Sequence, residues 1–534
     1  MPTVARMTSL WLDRAPHIET DPFEQNARYD VIVVGAGLTG LTTALLLARA
    51  GQKVAVIESR RIGAVTTGNT TAKLSLLQGT HLQQIASRAS RGALEAYVEA
   101  NREGQAWMLR YAAEHGIEIE TRDAYSYAGS PEGRPTVERE HDVARSLGLP
   151  VALTDATELP FATHGAVVLP DQAQFDPLDV LAALAADVRS RGGVIIENLP
   201  ATGMRAPSRS SLGPGSTDYA TTTTDDLVEV TTTRASLWAD RVVLATGIPV
   251  LDRGLYWARM TPQRSYAAAF RVPGTLPRGQ HLSVDQPSRS VRTTPDRAAG
   301  RSLGQSGELL LIGGNGHAVG RHCTDGPGGK NPSPTARLEE LTAWTEEHWP
   351  GAQRTHVWSA QDYEPTDGIP FVGWVPFTHR RIALATGYDK WGMTNAVQAA
   401  LQLSARLLDG EVPRWAKAMG RRPLMPGSLL EGVVANAKVA WWYGRGLAHV
   451  LTTPLPAAAP SEGSGVTGRD GARLEAVSRV DGRVCRVSAL CSHLGAPLNW
   501  NDAERSWDCP AHGSRFAPDG ARLEGPARRG LAKR

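Results

Sequence analysis

Cysteine is scarce in this chain: Cys323, Cys485, Cys491 and Cys509 are the only four in 534 residues. That is too few for a disulfide framework, which excludes the disulfide-stapled secreted class and makes the cytoplasm the expected location. Charge of one sign is also lacking. Lys and Arg number 57 against 54 Asp and Glu, a net +3, so no strongly charged partner is called for, and no basic patch with interleaved aromatics marks a nucleic-acid surface. No apolar run approaches the ~20 residues that cross a bilayer. The segment Met1–Asp30 carries Arg6, Asp13, Arg14, Glu19, Asp21 and Glu24 in place of the apolar core of an export signal. Neither nucleic acid nor membrane insertion is expected. Length is what the chain has in excess, and it suggests roughly three domains.

Two of the cysteines stand in paired motifs. Cys491-Ser492-His493 is followed, after fifteen intervening residues, by Cys509-Pro510-Ala511-His512. Each loop offers one thiolate and one imidazole. This is the ligand set of a Rieske [2Fe-2S] centre, in which two histidines hold one iron and two cysteines the other. Zinc also accepts Cys2His2 ligation, but zinc modules usually space like ligands together, whereas here each loop is mixed. Gly495 and Gly513, just beyond the ligands, let the backbone close around the sulfides without a Cβ in the way. Of the other cysteines, Cys485 lies in the alternating pattern VCRVSAL and reads as core, and Cys323 reads as a buried thiol rather than a flavin attachment point.

The segment is similar to the Rieske proteins of respiratory chains. In those proteins each ligand loop carries a further cysteine and the two form a disulfide; the resemblance puts Ala496 and Ala511 at those positions, so no such bridge can form. The family's serine that hydrogen-bonds a bridging sulfide is kept as Ser514, and its tyrosine that donates to a ligand sulfur is replaced by Phe516. The histidines at the cluster tip are the expected exit to an external carrier.

At the other end, DVIVVGAGLTGLTTALLLARAGQKVAVIE runs from Asp30 to Glu58. An apolar run, Val31 to Val34, has the composition of a strand buried on both faces. Gly35, Gly37 and Gly40 follow as G-x-G-x-x-G and open a helix at Leu38 and Thr39. A second strand ends in Glu58. The first glycine makes a tight turn, the second admits a pyrophosphate, and the third allows close helix packing. The helix N-terminus presents free N–H groups and a partial positive charge to the phosphates. Glu58 would accept from ribose hydroxyls and repel a 2′-phosphate, which argues against NADP at this site.

The motif alone leaves FAD and NAD open; later stretches separate them. ADRVVLATG ends at Gly247, and RIALATG, ending at Gly387, repeats its pattern before Gly392, Met393 and Thr394 open a helix. This order of parts resembles the D-amino-acid oxidase, glycine oxidase and sarcosine oxidase superfamily of FAD enzymes, and within it the bacterial flavoproteins that carry a C-terminal Rieske domain. The resemblance covers nearly the whole chain. It implies FAD and a [2Fe-2S] cluster as cofactors. It runs Thr71, Ala72 and Lys73 past the flavin, with Lys73 near N5, sets the turn from Asp367 to Gly373 beside the ring, and offers the N–H groups of Gly392, Met393 and Thr394 to its pyrimidine edge. A lysine in a helix is more often a solvated charge. Carboxylate-binding candidates for a substrate are Arg264, Tyr266 and Arg321, by type and region.

The expected architecture is α/β, a Rossmann-type FAD-binding domain with an interleaved α+β substrate domain, followed by an all-β Rieske domain. The pieces are an N-terminal arm (1–28), the FAD domain (29–85, 165–250, 355–420), the substrate domain (86–164, 255–354), a linker and connecting helix (421–464), and the Rieske domain (465–530). The polar stretch from Ser208 to Asp226 reads as a low-complexity loop. Trp441, Trp442 and Tyr443 on the connecting helix could dock the Rieske domain or serve as ordinary core.

Two patterns distract. His317-Ala-Val-Gly-Arg-His322 has the H-x4-H spacing of mononuclear iron in Rieske oxygenases, but those enzymes put the Rieske domain first. His317 is favoured instead as a residue facing the substrate pocket. Gly314-x-Gly316 followed by Gly320 lacks the second strand of a nucleotide site.

The expected function is an FAD-dependent oxidoreductase, dehydrogenase or oxidase, acting on a C–N bond of an amine or amino acid. It passes electrons from FAD to the Rieske cluster and on to an external electron carrier or oxygen. The alternatives are an NAD(P)H-dependent flavin/Rieske reductase feeding a separate oxygenase, and a non-catalytic redox sensor or electron carrier. Hydrogen bonds to sulfur stabilise the reduced cluster, so loss of the tyrosine donor at Phe516 lowers its potential. Redox titration followed by EPR should find a midpoint in the lower part of the span of about −150 to +300 mV for Rieske centres; a midpoint near the upper end contradicts this.

Overall fold

The structure is a computed structural model that describes residues 7–206, 226–251, 253–297, 307–322, 331–422 and 425–534. Cys323 and nearly all of the Ser208–Asp226 loop lie outside the described residues. The apolar run of the dinucleotide motif forms the strand Arg28–Val34, central in an eight-stranded sheet. It is flanked in parallel by Val54–Ile57 and by Ser236–Leu244, which in turn carries Ile382–Thr386. Val31, Ile32, Val33 and Val34 are all buried, as a parallel strand covered on both faces requires. The helix Leu38–Arg49 crosses one face and packs against the helices Pro177–Ser190 and Gly392–Leu407.

A second, nine-stranded sheet is largely antiparallel. Its long strands Met260–Arg271, Glu308–Ala318 and Gln353–Pro365 lie side by side. This shifts two expected boundaries. Ala166–Gln174 and Gln353–Pro365, both assigned from sequence to the FAD domain, pair into this second sheet. The reason is visible in the pattern: burial along the later part of Gln353–Pro365 alternates, which fits a sheet half-covered on one face rather than one sealed on both. Lys73 also departs from expectation. It lies in the short strand Lys73–Leu74, not in a helix, and pairs with Gln174. Gly314 and Gly316 sit inside the strand Glu308–Ala318 rather than in a nucleotide turn. The apolar-periodic stretch from Leu94 to Ala113 lies in the helix Arg91–Glu114.

The C-terminal domain is all β, with a three-stranded sheet from Gly465 to Ser488 and a four-stranded one from Asn499 to Glu524. Its core is small, centred on Trp500, Trp507 and Phe516. Cys485 is only half-buried on its strand. The connecting helix spans Pro426–Thr452. Tyr443 and Val439 pack on the Rieske core, whereas Trp441 points outward, 68% exposed.

Charged groups clamp this domain to the rest. Glu504, its side chain 13% exposed, is held between Arg264, from the nine-stranded sheet, and Arg515 at 2.8 Å. Arg515 also reaches Asp508 at 3.0 Å and Glu524 at 2.8 Å, and Arg264 donates to Ser359 at 2.6 Å. Burial alone would raise the Glu504 carboxyl, but the two guanidinium groups outweigh it and hold it down at about 2 against an ordinary 4.5. Because the folded value is the lower one, this group's contribution of about 3 kcal/mol is present above pH 4.5 and is lost as the pH falls from there toward 2. Arg264→Met should cost about 3–5 kcal/mol, because it strands part of a buried charge network. A lowered Tm and earlier proteolytic release of the Rieske domain are the expected readouts; an unchanged Tm contradicts the clamp.

Candidate functional site

The three motif glycines each answer a close contact. Gly35 sits at φ +109 with the Ala245 carbonyl where a Cβ would be, a Cβ on Gly37 would lie 3.1 Å from the Thr67 hydroxyl, and one on Gly40 would run into the Gly35 carbonyl. Only the first two border open space. They open onto a cavity of about 760 Å³, within the range of cofactor and ligand sites. Glu58 stands at its rim. Its carboxylate accepts from the amides of Ala36 and Arg60, both at 2.9 Å, and from the Ser59 hydroxyl at 3.1 Å. Thr67 accepts from the Leu38 amide at 3.2 Å. The first residues of the helix, Leu38 and Thr39, border the cavity, and a helix N-terminus at that place suits phosphate.

Among the residues expected to hold the cofactor, Gly35, Gly37, Leu38, Thr39, Glu58, Thr71, Gly247, Gly387, Gly392 and Met393 line the cavity. Gly40, Ala72 and Thr394 do not. Gly40 is used in helix packing. Ala72 sits at φ +54 with its carbonyl taken by Arg292. The Thr394 hydroxyl turns away to Asn101. The turn from Asp367 to Gly373 also misses the wall: Asp367 pairs with Arg422 at 3.1 Å, and Gly368 packs on Ile85 and His81.

Lys73 does reach the cavity, where its ammonium donates to Ser290. Burial first, and the Arg292 charge second, push it down to about 7. His317 does not line the cavity. Side chains alternate along a strand, and with Gly316 turned to the cavity His317 falls on the other side. There its ring stacks on Tyr266 at 5.7 Å and burial pushes it down to about 3. Tyr266 itself is on the wall. Arg264 and Arg321 are taken by the Rieske domain: Arg264 by Glu504, and Arg321 by the Pro510 carbonyl at 2.9 Å. His322 donates to the Trp500 carbonyl at 2.7 Å. Among the described residues no three His, Cys, Asp or Glu side chains group around one point.

Several wall residues carry no motif. His81 meets Asp389 at 3.2 Å and the Gly368 carbonyl at 3.0 Å. Burial raises the Asp389 carboxyl, but the His81 contact together with the Lys390 and Arg88 charges outweighs it and the net shift is downward. Asp362 is pushed up to about 6 by burial, although it accepts from the amides of Tyr363 and Lys390. Only their folding together on the cavity rim identifies them.

The cluster loops meet as the motif requires. The Cys491 and Cys509 sulfurs are within hydrogen-bonding reach of each other, and the His493 and His512 rings are 5.3 Å apart. Amides of His493 and Leu494 point at the Cys491 sulfur, and amides of Ala511 and His512 at that of Cys509. The Ser514 hydroxyl bonds Cys491 and accepts from the Ala527 amide at 3.0 Å. Gly495 and Gly513 adopt φ +74 and +78. Two thiolates ringed by amides, facing two imidazoles, fit an iron–sulfur cluster in which each iron takes two protein ligands.

The histidine tip is partly covered by the protein, His512 buried and His493 half-buried. Trp257, from the turn Tyr256–Ala258, meets both rings edge-on at 5.6 and 4.5 Å. Gly513 is pressed so closely against the substrate-domain strands that a Cβ there would lie 2.5 Å from Pro262. Its carbonyl accepts from Gln361 Nε2 at 2.9 Å, and Gln361 lines the cavity. The Rieske residues Arg522, Leu523, Glu524 and Gly525 form part of the same wall.

Residues 30–406 match the family model for FAD-dependent oxidoreductases of the DAO type. The chain belongs to that family. Residues 461–533 match the Rieske [2Fe-2S] domain model. A Bacillus subtilis (strain 168) protein named as a Rieske 2Fe-2S iron-sulfur protein, YhfW, is 31% identical over 94% of this chain and 93% of its own. The iron-sulfur subunit 1 of the cytochrome b6-f complex of Synechocystis is 35% identical over 15% of this chain and 48% of its own. Among solved structures, glycine oxidase from Geobacillus kaustophilus superposes with TM-score 0.56 at 21% identity, covering 76% of this chain and 98% of its own. L-proline dehydrogenase from P. horikoshii gives 0.53 at 17%, covering 72% and 95%. The protein is thus an oxidoreductase with FAD and a Rieske [2Fe-2S] cluster as its cofactors. Among the described residues no helix is long and apolar enough to cross a membrane.

Proposed function

We propose that the protein is a dehydrogenase that oxidises a small organic substrate at a C–N bond of an amine or amino acid and sends the electrons through its Rieske domain to an external carrier, with oxygen as a competing acceptor. When bound, FAD supplies two-electron oxidation with release of electrons one at a time, and the cluster supplies a one-electron relay. The observation that carries the reading is the double role of Gln361, which lines the cofactor cavity and donates at 2.9 Å to Gly513, the residue after cluster ligand His512. The substrate class draws support from fold relatives named for glycine, L-proline and L-amino acids.

This chain's own residues divide the work. Lys73 holds a proton site at its Nζ that is close to half-occupied at neutral pH, in the range that suits a general base. Ser290, which accepts from the Lys73 ammonium, supplies a polar contact at the substrate end, and Gly313 beside it adds no side chain to the wall. Rieske residues Leu523 to Gly525 and the Gly513 contact close the cavity wall and exclude water between the two cofactor sites.

Amines, amino acids and N-methyl compounds mixed anaerobically with the enzyme should include at least one that bleaches the flavin. With that substrate, the bleaching rate should rise with pH through about 7, because only the neutral amine of Lys73 accepts a proton. Lys73→Met should slow bleaching roughly 10²-fold and flatten that limb. Rapid bleaching by NADH with none by any amine contradicts the reading.

A further inference from the structure

The connecting helix Pro426–Thr452 wears its apolar face outward. Leu430, Val433, Ala437, Trp441, Ala448 and Leu451 are all exposed, and their spacing puts them on one side of a helix. The large ones are well out in solvent: Leu430 and Val433 at 66%, Trp441 at 68%, Leu451 at 51%. The opposite side is spent on the protein. Tyr443 and Val439 pack on the Rieske core, a Cβ on Gly446 would lie 3.1 Å from Pro497, and Val450 is buried. A row this long exceeds the scattered exposed apolar residues of an ordinary surface.

The charges choose the occupant. The helix carries one acid, Glu431, which turns to Arg88 at 3.6 Å. Its other formal charges are Lys438 and Arg445, both exposed and seven residues apart, hence on the same flank of the apolar row. An antiparallel second copy docked face to face would bring that flank against itself, cation to cation, and a parallel one would offer the two cations no acid, since Glu431 is already paired with Arg88. An anionic lipid surface instead pairs with both cations while taking up the Trp and Leu side chains, the pattern of a helix lying in the interface rather than spanning it.

We propose that the outward face of this helix is a docking surface for an anionic lipid bilayer, on which the protein lies peripherally. The Cys491–Pro497 loop rests on the inward side of the same helix, with Tyr443 and Gly446 beneath Gly495 and Pro497, so adsorption holds the cluster loop about 10 Å, one helix diameter, from the membrane surface. The inference stands apart from the substrate reading, since its test measures binding alone.

The test is co-sedimentation of the full-length holoprotein with phosphatidylglycerol/phosphatidylcholine vesicles and with pure phosphatidylcholine vesicles at low salt. Retention on the anionic vesicles should exceed that on neutral ones at least tenfold. The Leu430→Glu/Trp441→Glu double variant, with flavin and cluster spectra intact, should lose at least tenfold of it, and Lys438→Gln/Arg445→Gln should erase the anionic preference. Equal retention on both compositions, or none on either, overturns the proposal. So does a dimer in sedimentation velocity that the double variant splits while vesicle binding is absent, which would assign the face to a second copy.

Discussion

Clamping of Glu504 between Arg264 and Arg515 fixes where the cluster loops sit relative to the rest of the molecule. A buried charge is tolerated only while its partners stay in place. Rotation of the Rieske domain would break the Arg264 pair and also the contacts of Arg321 with Pro510, of His322 with Trp500, and of Gln361 with Gly513. Docking is therefore specific in orientation as well as tight. It turns the histidine tip toward Trp257 and the Gly513 carbonyl toward the cavity wall.

That constraint makes two sites into one. The cavity is built mainly by the Rossmann-type unit and the nine-stranded sheet, yet its wall is completed by Arg522 to Gly525 of the third domain. Arg60, two residues past Glu58, donates to the Leu523 carbonyl, so the end of the dinucleotide motif is itself tied to the Rieske domain. Cofactor binding and domain docking share side chains. A change in one is expected to register in the other through the same cavity.

The parts that bind cofactors were legible in the sequence because a ligand imposes spacing on local residues. Phosphate demands G-x-G-x-x-G at a helix start, and a diiron cluster demands two mixed Cys/His loops. Gly35, Glu58, Cys491 and His512 could be read without any tertiary information. The docking residues could not. Arg264 and Arg321 have the composition of substrate-binding arginines, and only the folded register, which pairs Arg264 with His317 and Gln361 across two neighbours, turns them toward the Rieske domain. Likewise His317 was misplaced because strand alternation puts it opposite Gly316. The FAD-domain boundaries slipped where Ala166–Gln174 and Gln353–Pro365 cross to the second sheet, since strand pairing across a long gap leaves no local mark.

On the proposed route, electrons pass from the flavin to the clamped Rieske domain within the same polypeptide. Rapid mixing of the anaerobic enzyme with a flavin-reducing substrate, followed at flavin and cluster wavelengths over a tenfold range of enzyme concentration, tests it most directly. Cluster reduction should follow flavin bleaching at a rate independent of enzyme concentration. A rate proportional to enzyme concentration, or a cluster that stays oxidised beside a bleached flavin, would contradict it.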